Sequence, residues 1–277
     1  MGTLYLVATP IGNLEDLSAR ALRVLENVGL IAAEDTRQTS KLLNHFDIHT
    51  RMISYHEHNK LTRIEQVLTA LEEGQVALVS DAGTPALNDP GYELVRAALE
   101  AGHAVSPIPG PCAPVAALVV SGLPTDAFLY LGYLPRKASE RRKLLESTSR
   151  QPYTLIFLET PHRLISALND LRQMLGNRQV AIARELTKIH EEVFRGNLDE
   201  ALLHFQQKPP RGEFTLVVAG FLPTQENWSE ERLNNEINDR RWSGISPTRL
   251  ALELASLSGW PRREIYQKII RLQDRRE

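Results

Sequence analysis

Short apolar runs alternate with helix-patterned segments along most of this chain, and brief connections rich in Gly and Pro join them. Few architectures accept that order. Strands that alternate with helices across short loops pair in parallel, and helices then cover the faces of the sheet. Residues 3–9 form an apolar run closed by Pro10. Residues 15–28 carry Leu17, Ala21, Leu22, Val24, Leu25 and Val28 at helical spacing. Strands are predicted at 30–33, 51–54, 76–79 and 104–107. Helices are predicted at 36–46, 61–73, 91–101 and 113–120, with Gly74, Gly102 and Gly122 as stop signals.

A second alternating block follows the segment 122–126. Its predicted strands are 127–131, 154–158, 179–183, 190–194 and 214–219. Its predicted helices are 139–147, 164–175 and 199–205. Some consecutive strands here suit antiparallel pairing, so a mixed sheet is expected. A polar linker at 223–231 leads to two amphipathic helices, 246–258 and 261–273, with Gly259-Trp260-Pro261 as the turn between them. The expected division is 1–122, an α/β domain; 123–222, a second α/β domain; and 223–277, a linker and helical hairpin.

Composition narrows the function classes. The 277 residues are 42% hydrophobic and 24% charged, ordinary for a globular protein and sufficient for more than one core. No apolar run reaches the roughly 18 residues of a membrane span. The first residues carry no secretion pattern. Cys112 is the only cysteine, which excludes an intramolecular disulfide and a cysteine-cluster zinc site. A cytoplasmic location is expected. The net charge of −2 hides an asymmetry. Residues 136–150 hold six Lys/Arg against two Asp/Glu, and residues 240–277 hold nine against four. Two basic blocks on an acidic body suit a polyanion-binding surface as well as they suit two solvated helix faces.

Open parallel sheets bind ligands outside the carboxyl ends of their strands. Three loops qualify in the first half. Thr9-Pro-Ile-Gly-Asn13 has proline where a dinucleotide loop needs glycine, and no Walker loop occurs elsewhere. Ser80-Asp-Ala-Gly-Thr-Pro-Ala-Leu-Asn-Asp-Pro-Gly91 runs from a strand through small and rigid residues into a helix. Asp81 there suits a cationic ligand, and Gly83 lets a ligand approach the backbone. Asp89-Pro90 reads as helix cap and first helical residue. Pro107-Ile-Pro-Gly-Pro-Cys-Ala-Pro114 repeats the strand–loop–helix design, and open amides at its helix start favour a carboxylate. Ala33-Glu-Asp-Thr-Arg37 and His56-Glu-His-Asn59 add acids, a guanidinium and imidazoles at strand ends. His56 and His58, two apart, do not form a helical metal pair, and no metal is expected.

LYLVATPIGNLEDLSARAL, AAEDTR, ALVSDAGTPALNDPGYELV, PIPGPCAPVAAL, GYLPRK, FLETPHRL, ARELTKIHEE and GEFTLVVAG follow one another in that order within residues 3–220. In order and spacing they resemble the ribosomal RNA small subunit methyltransferase I family of the tetrapyrrole methylase superfamily. The resemblance implies a two-domain α/β fold with S-adenosylmethionine in the interdomain cleft, a C-terminal helical tail, and a homodimer. It implies 2′-O-methylation of a cytidine in the decoding region of 16S ribosomal RNA, with that RNA or the small ribosomal subunit as partner. The Asp81 loop matches the superfamily's cofactor loop, usually Gly-Asp-Pro and here Ser80-Asp81-Ala82, with Gly83 and Thr84 after it. Pro-Gly-Pro-Cys-Ala matches the next cofactor loop at Cys112 and Ala113. Pro10 belongs to the loop beneath the substrate. Leu158, Leu186 and Glu213 match strand ends that usually close around the adenosine.

Transfer to a ribose hydroxyl benefits from a base and from a cation that stabilises the developing alkoxide. Asp35 and His56 are candidates for the first role, Arg37 and Lys188 for the second. Arg136, Lys137, Arg141, Arg142 and Lys143, with Arg262 and Arg263 in the tail, are candidates to grip phosphates. Two other readings stand beside this one. One is a sister methylase acting on a small molecule or a protein. The other is a non-catalytic RNA-binding assembly factor.

Overall fold

Five strands form the first sheet: β1 (Thr3–Val7), β2 (Leu30–Ala33), β3 (Met52–Ser54), β4 (Val76–Val79) and β5 (Ala104–Ile108). The computed structural model describes residues 1–222, 228–240 and 245–274. The strands lie in the order β3-β2-β4-β1-β5, all parallel. Every residue of β2 and β4 is buried, and successive residues serve opposite faces. Ile31, Ala33, Ala77 and Val79 join Leu17, Leu25 and Leu43 in one core. Leu30, Ala32, Val76 and Leu78 join Val67, Leu71 and Leu94 in the other. A sheet buried on both faces needs such continuous apolar strands.

The intervening helices are α1 (Ala19–Asn27), α2 (Thr36–His45), α3 (Lys60–Glu73), α4 (Tyr92–Glu100) and α5 (Ala113–Ser121). The helix predicted over 15–28 is split. Asn13 caps a 3-10 turn at Leu14–Asp16, and Ser18 then accepts the Ala21 N–H and starts α1 afresh. A serine at that point competes with the helix for its own backbone, which apolar spacing does not reveal.

The second sheet holds β6 (Phe128–Tyr133), β7 (Thr154–Glu159), β8 (Gln179–Arg184), β9 (Glu192–Asn197) and β10 (Phe214–Val218), in the order β6-β7-β10-β8-β9. Among the described residues only its β6–β7 pair is parallel, so the sheet is mixed as expected. Helices α6 (Ala138–Thr148), α7 (Pro161–Leu175) and α8 (Leu198–Gln207) cover one face, where Leu168 and Phe205 of the helices share a core with Phe157 and Leu216 of the strands. The other face is covered by α5, whose Ala117 and Leu118 pack on Ile156, Ala181 and Val217. A helix from the first half therefore belongs to the core of the second, and Met1–Gly220 form one compact unit.

Phe221–Glu277 form a second unit. It contains three described helices rather than the predicted pair: α9 (Glu230–Arg240), α10 (Pro247–Ser258) and α11 (Arg262–Asp274). The expected linker is corrected in part, because Glu230 and Glu231 open α9; residues 223–227 lie outside the described residues. Leu233 and Ile237 of α9 are buried with Leu250, Leu254, Ile265 and Ile269. The Trp260 indole N–H donates to the Trp228 carbonyl at 2.7 Å and closes this small core. Among the described residues no helix is long and apolar enough to cross a membrane.

Candidate functional site

The loops after β1, β2 and β4 and the start of α5 face the ends of β7 and β10 across a cavity of about 900 Å³, its open mouth included. Thr9 and Gly83 exchange both backbone hydrogen bonds, at 2.9 and 3.0 Å, and stitch the first loop to the Asp81 loop. Gly83 has φ +82°, which an L side chain adopts only with strain. Thr84 Oγ1 donates to the Pro111 carbonyl at 3.1 Å and ties the Asp81 loop to the Pro-Gly-Pro loop. Cys112 stands at the N-cap of α5 without a side-chain cap bond, so the helix start is open toward the cavity. On the far side β6 bulges between Tyr130 and Tyr133. Gly132 there has φ +65°, and a Cβ on it would lie 2.4 Å from the Asn88 side-chain nitrogen. The absence of a side chain at 132 lets Asn88 reach across.

Five carboxylates line the cavity: Glu34, Asp81, Asp89, Glu159 and Glu213; among the described residues no Lys, Arg or His lines it. Two of them lace the strand ends. Asp81 Oδ1 accepts the Asp35 N–H at 3.0 Å, and Glu34 Oε2 accepts the Asp81 N–H at 3.2 Å. Burial raises the carboxyl groups of Glu34, Asp81 and Glu159 above their ordinary values. Asp89 is pushed up to about 6, first by burial and then by the charge of Glu34. Its expected role as the cap of α4 is corrected. Gly91 occupies that position, and Asp89 faces the cavity.

That upward shift sets a stability window. The native state holds the Asp89 proton to a higher pH than the unfolded chain does, so stability falls as pH rises from about 4 through 6. Asp89→Asn should therefore raise stability at pH 8 by about 1–2 kcal/mol after allowance for solvent screening, and leave it unchanged below pH 4. Urea unfolding at the two pH values checks this; an equal effect at both would contradict the burial argument.

Of the expected cofactor residues, Asp81, Gly83, Thr84, Cys112, Ala113, Leu158 and Glu213 line the cavity. Pro10 and Leu186 do not; the neighbouring Ile11 is in the wall, and Leu186 packs against the core beneath α5. The expected reacting groups do not meet there either. The Asp35 carboxylate accepts the Arg37 side chain at 3.0 and 2.7 Å and also its N–H, which caps α2. Those hydrogen bonds hold Asp35 down at about 2, too weakly basic for a proton acceptor. The Arg37 side chain is otherwise open to solvent. His56 does not line the cavity, and among the described residues its buried Nδ1 has no hydrogen-bond partner. Lys188 reaches Glu185 at 2.9 Å and the cavity-lining Glu213 at 3.2 Å. Burial opposes its charge, but Glu185 and Glu213 outweigh burial and lift the ammonium above its usual value.

Among the expected phosphate-binding residues, Arg136, Lys137, Arg142 and Lys143 are exposed, as are Arg262 and Arg263 at the start of α11. Arg141 is corrected. It is 5% exposed and donates to Asp170 at 2.7 Å, inside the protein. Tyr130, Tyr133 and Glu159 are cavity residues that the sequence reading does not single out, and Glu34 and Asp89 enter it only within an acidic cluster and as a helix cap.

A family model, Tetrapyrrole (Corrin/Porphyrin) Methylases, matches residues 3–202. A curated protein of Synechocystis sp., "Ribosomal RNA small subunit methyltransferase I", is 49% identical over 276 residues and covers 99% of each chain. The protein of that name from Halalkalibacterium halodurans is 50% identical over 270 residues, 96% of this chain and 93% of its own. This chain belongs to the ribosomal RNA small subunit methyltransferase I family, within the tetrapyrrole methylases. The uroporphyrin-III C-methyl transferase of Thermus thermophilus, solved with S-adenyl homocysteine, shares the methylase fold. It matches with a TM-score of 0.54 at 19% identity, over 78% of this chain and 97% of that one. The cavity sits beyond the carboxyl ends of β1, β2 and β4 of the parallel sheet, and the amino end of β10 faces them.

Proposed function

We propose that this chain transfers a methyl group from S-adenosylmethionine to the 2′-oxygen of a cytidine in the decoding region of 16S ribosomal RNA, working as a homodimer in the cytoplasm. The observation that carries this reading is the charge pattern of the cavity. A ligand with a sulfonium, an ammonium and one carboxylate needs acidic walls and one patch of free amides. Glu34, Asp81 and Asp89 supply the acidic wall, while Glu159 and Glu213 are paired with Arg163 and Lys188, and the amides at Ala113 and Val115 in the first turn of α5 supply the other. Leu158, Phe214 and Ile11 give an apolar surface suited to a nucleoside. When bound, the donor supplies an electrophilic methyl carbon on a positively charged sulfur.

The remaining work falls to the chain itself. The Asp81 and Pro-Gly-Pro loops align the partners and exclude water, which is where most acceleration of a simple displacement originates. Glu34, at the end of β2 and in the cavity wall, takes the proton-accepting role expected of Asp35. Asp35 instead holds the Arg37 guanidinium.

The names of the relatives support RNA of the small subunit as substrate. Arg262 and Arg263 support it as well. They stand exposed in the first turn of α11, where a cation works against the helix dipole and a phosphate contact would offset that cost. Val115, Val119 and Val120 form an exposed apolar stripe on α5 that suits a second copy of the chain.

Mapping 2′-O-methyl groups in ribosomal RNA from cells with and without this protein tests the whole reading. One 16S cytidine should lose its methyl group, and an unchanged map would overturn it. RNA affinity should also fall with salt. The double charge reversal R262E/R263E should weaken binding and lower the salt slope by about 1 for each phosphate no longer neutralised, read by filter binding across a salt series. A slope equal to that of the wild type would return these arginines to the solvated surface.

A further inference from the structure

The segment Phe-Leu-Glu-Thr-Pro-His-Arg-Leu, residues 157–164, ends β7 and starts α7. The Glu159 side chain is fully buried and closes part of the cavity wall. Its Oε1 accepts the Thr160 N–H at 2.8 Å, and its Oε2 accepts Arg163 Nη2 at 3.0 Å. The same Nη2 donates to the Leu134 carbonyl and, at 3.3 Å, to the Pro135 carbonyl. From α6, Arg141 Nη1 donates to the carbonyls of Pro135 and Arg136, at 3.3 and 3.4 Å. Asp170 holds Arg141 in turn.

Three consecutive carbonyls, 134 to 136, are thus gripped from within by two guanidinium groups. Surface connections ordinarily give such carbonyls to water. Among the described residues Arg163 Nε is buried with no partner, so the side chain is not arranged to satisfy its own donors. Its position serves the carbonyls. The loop held this way ends in Arg136 and Lys137, both exposed.

We propose that Arg163 is a positioning residue for RNA: through the carbonyls of Leu134 and Pro135 it fixes the posture of the Arg136–Lys137 segment and ties it to the Glu159 wall of the donor cavity. This rests on the RNA reading above. A basic loop whose backbone is already ordered surrenders less entropy when phosphates dock. Its contribution to RNA binding passes through Arg136 and Lys137, whereas its ion pair with Glu159 acts on the cavity wall.

A double-mutant cycle tests this in the full-length protein, with a fluorescein-labelled hairpin of the small-subunit decoding region as probe. The corners are wild type, R163Q, R136A/K137A and the triple variant. R163Q should weaken the hairpin roughly tenfold in the wild-type background and add nothing where Arg136 and Lys137 are already removed. Equal losses in both backgrounds, or no loss in the first, would overturn the proposal. If R136A/K137A alone binds the hairpin like the wild type, the phosphate grip assigned to this block fails, and the inference falls with it. Thermal melting and S-adenosylmethionine titration report whether R163Q is folded. Should it not be, R163K in the same cycle should give an intermediate loss that again vanishes in the R136A/K137A background.

Discussion

Glu34→Gln is expected to slow methyl transfer by about 10²–10⁴-fold, the range for loss of a positioned acid–base group, while donor affinity changes by less than tenfold. Glutamine keeps the shape of the side chain and an oxygen to accept the Asp81 N–H, so the lacing of β2 to β4 survives. What disappears is the proton acceptor. Burial has already raised the Glu34 carboxyl above the ordinary 4.5, which makes it a stronger base than a solvated glutamate. A base works when deprotonated. The wild-type rate should therefore rise with pH through the raised value and then level off, and the variant should lose that limb. Asp35→Asn, which touches a group pinned by Arg37, should cost far less. Single-turnover rates across pH decide the matter; a Glu34→Gln rate within tenfold of the wild type would remove Glu34 from the chemistry.

The second large effect concerns stability. Asp170→Ala should destabilise Met1–Gly220 by about 3–5 kcal/mol, because it leaves the buried Arg141 without its counter-charge. Asp170 is 3% exposed and is shared by Arg141 and Arg142. The half-exposed Arg142 contributes little by itself, about 0–1 kcal/mol, so Arg142→Ala is the matched control. Burial alone would raise the Asp170 carboxyl, but the two arginines outweigh it and hold the group below its ordinary 3.8. The stabilisation is then complete at neutral pH and is lost as pH falls through that lowered value. Urea unfolding should show a wide gap between wild type and variant at pH 7 that narrows under strong acid. Arg141→Met combined with Asp170→Leu should recover much of the loss. A single Asp170→Ala change below 1 kcal/mol would contradict the burial of the pair.

The loops are legible in the sequence because their residue types are forced. Gly, Pro and small side chains dominate the Asp81 and Cys112 turns, and those residues stand out in any reading. Continuous apolar strands likewise announce a sheet covered on both faces. The Glu34–Asp35 pair is harder. Neighbouring residues at a strand end point in opposite directions, and composition does not say which one enters the cleft. Yet Asp35 stands directly before a helix, where a short acid is normally consumed as a cap, and that signal favours Glu34. Asp89 misleads by the same rule in reverse, since the cap falls to Gly91. Nothing local marks Arg141 as buried, because its partner is 29 residues away on α7. The α9 helix has only Leu233 and Ile237 to bury, too few for its pattern to rise above its polar surroundings.

The bulge at Gly132 also bears on how the protein limits edge-to-edge strand pairing. β6 is an outer strand of its sheet, and an outer strand offers unpaired amides to any extended chain nearby. The register shift between Tyr130 and Tyr133 breaks that row partway along. On the first sheet, β3 is three residues long and β5 carries Pro107, so its two margins are blunted by brevity and by a missing donor. The kink that admits Asn88 thus doubles as a guard against runaway strand addition, and filling it in would put solubility at risk along with the cleft.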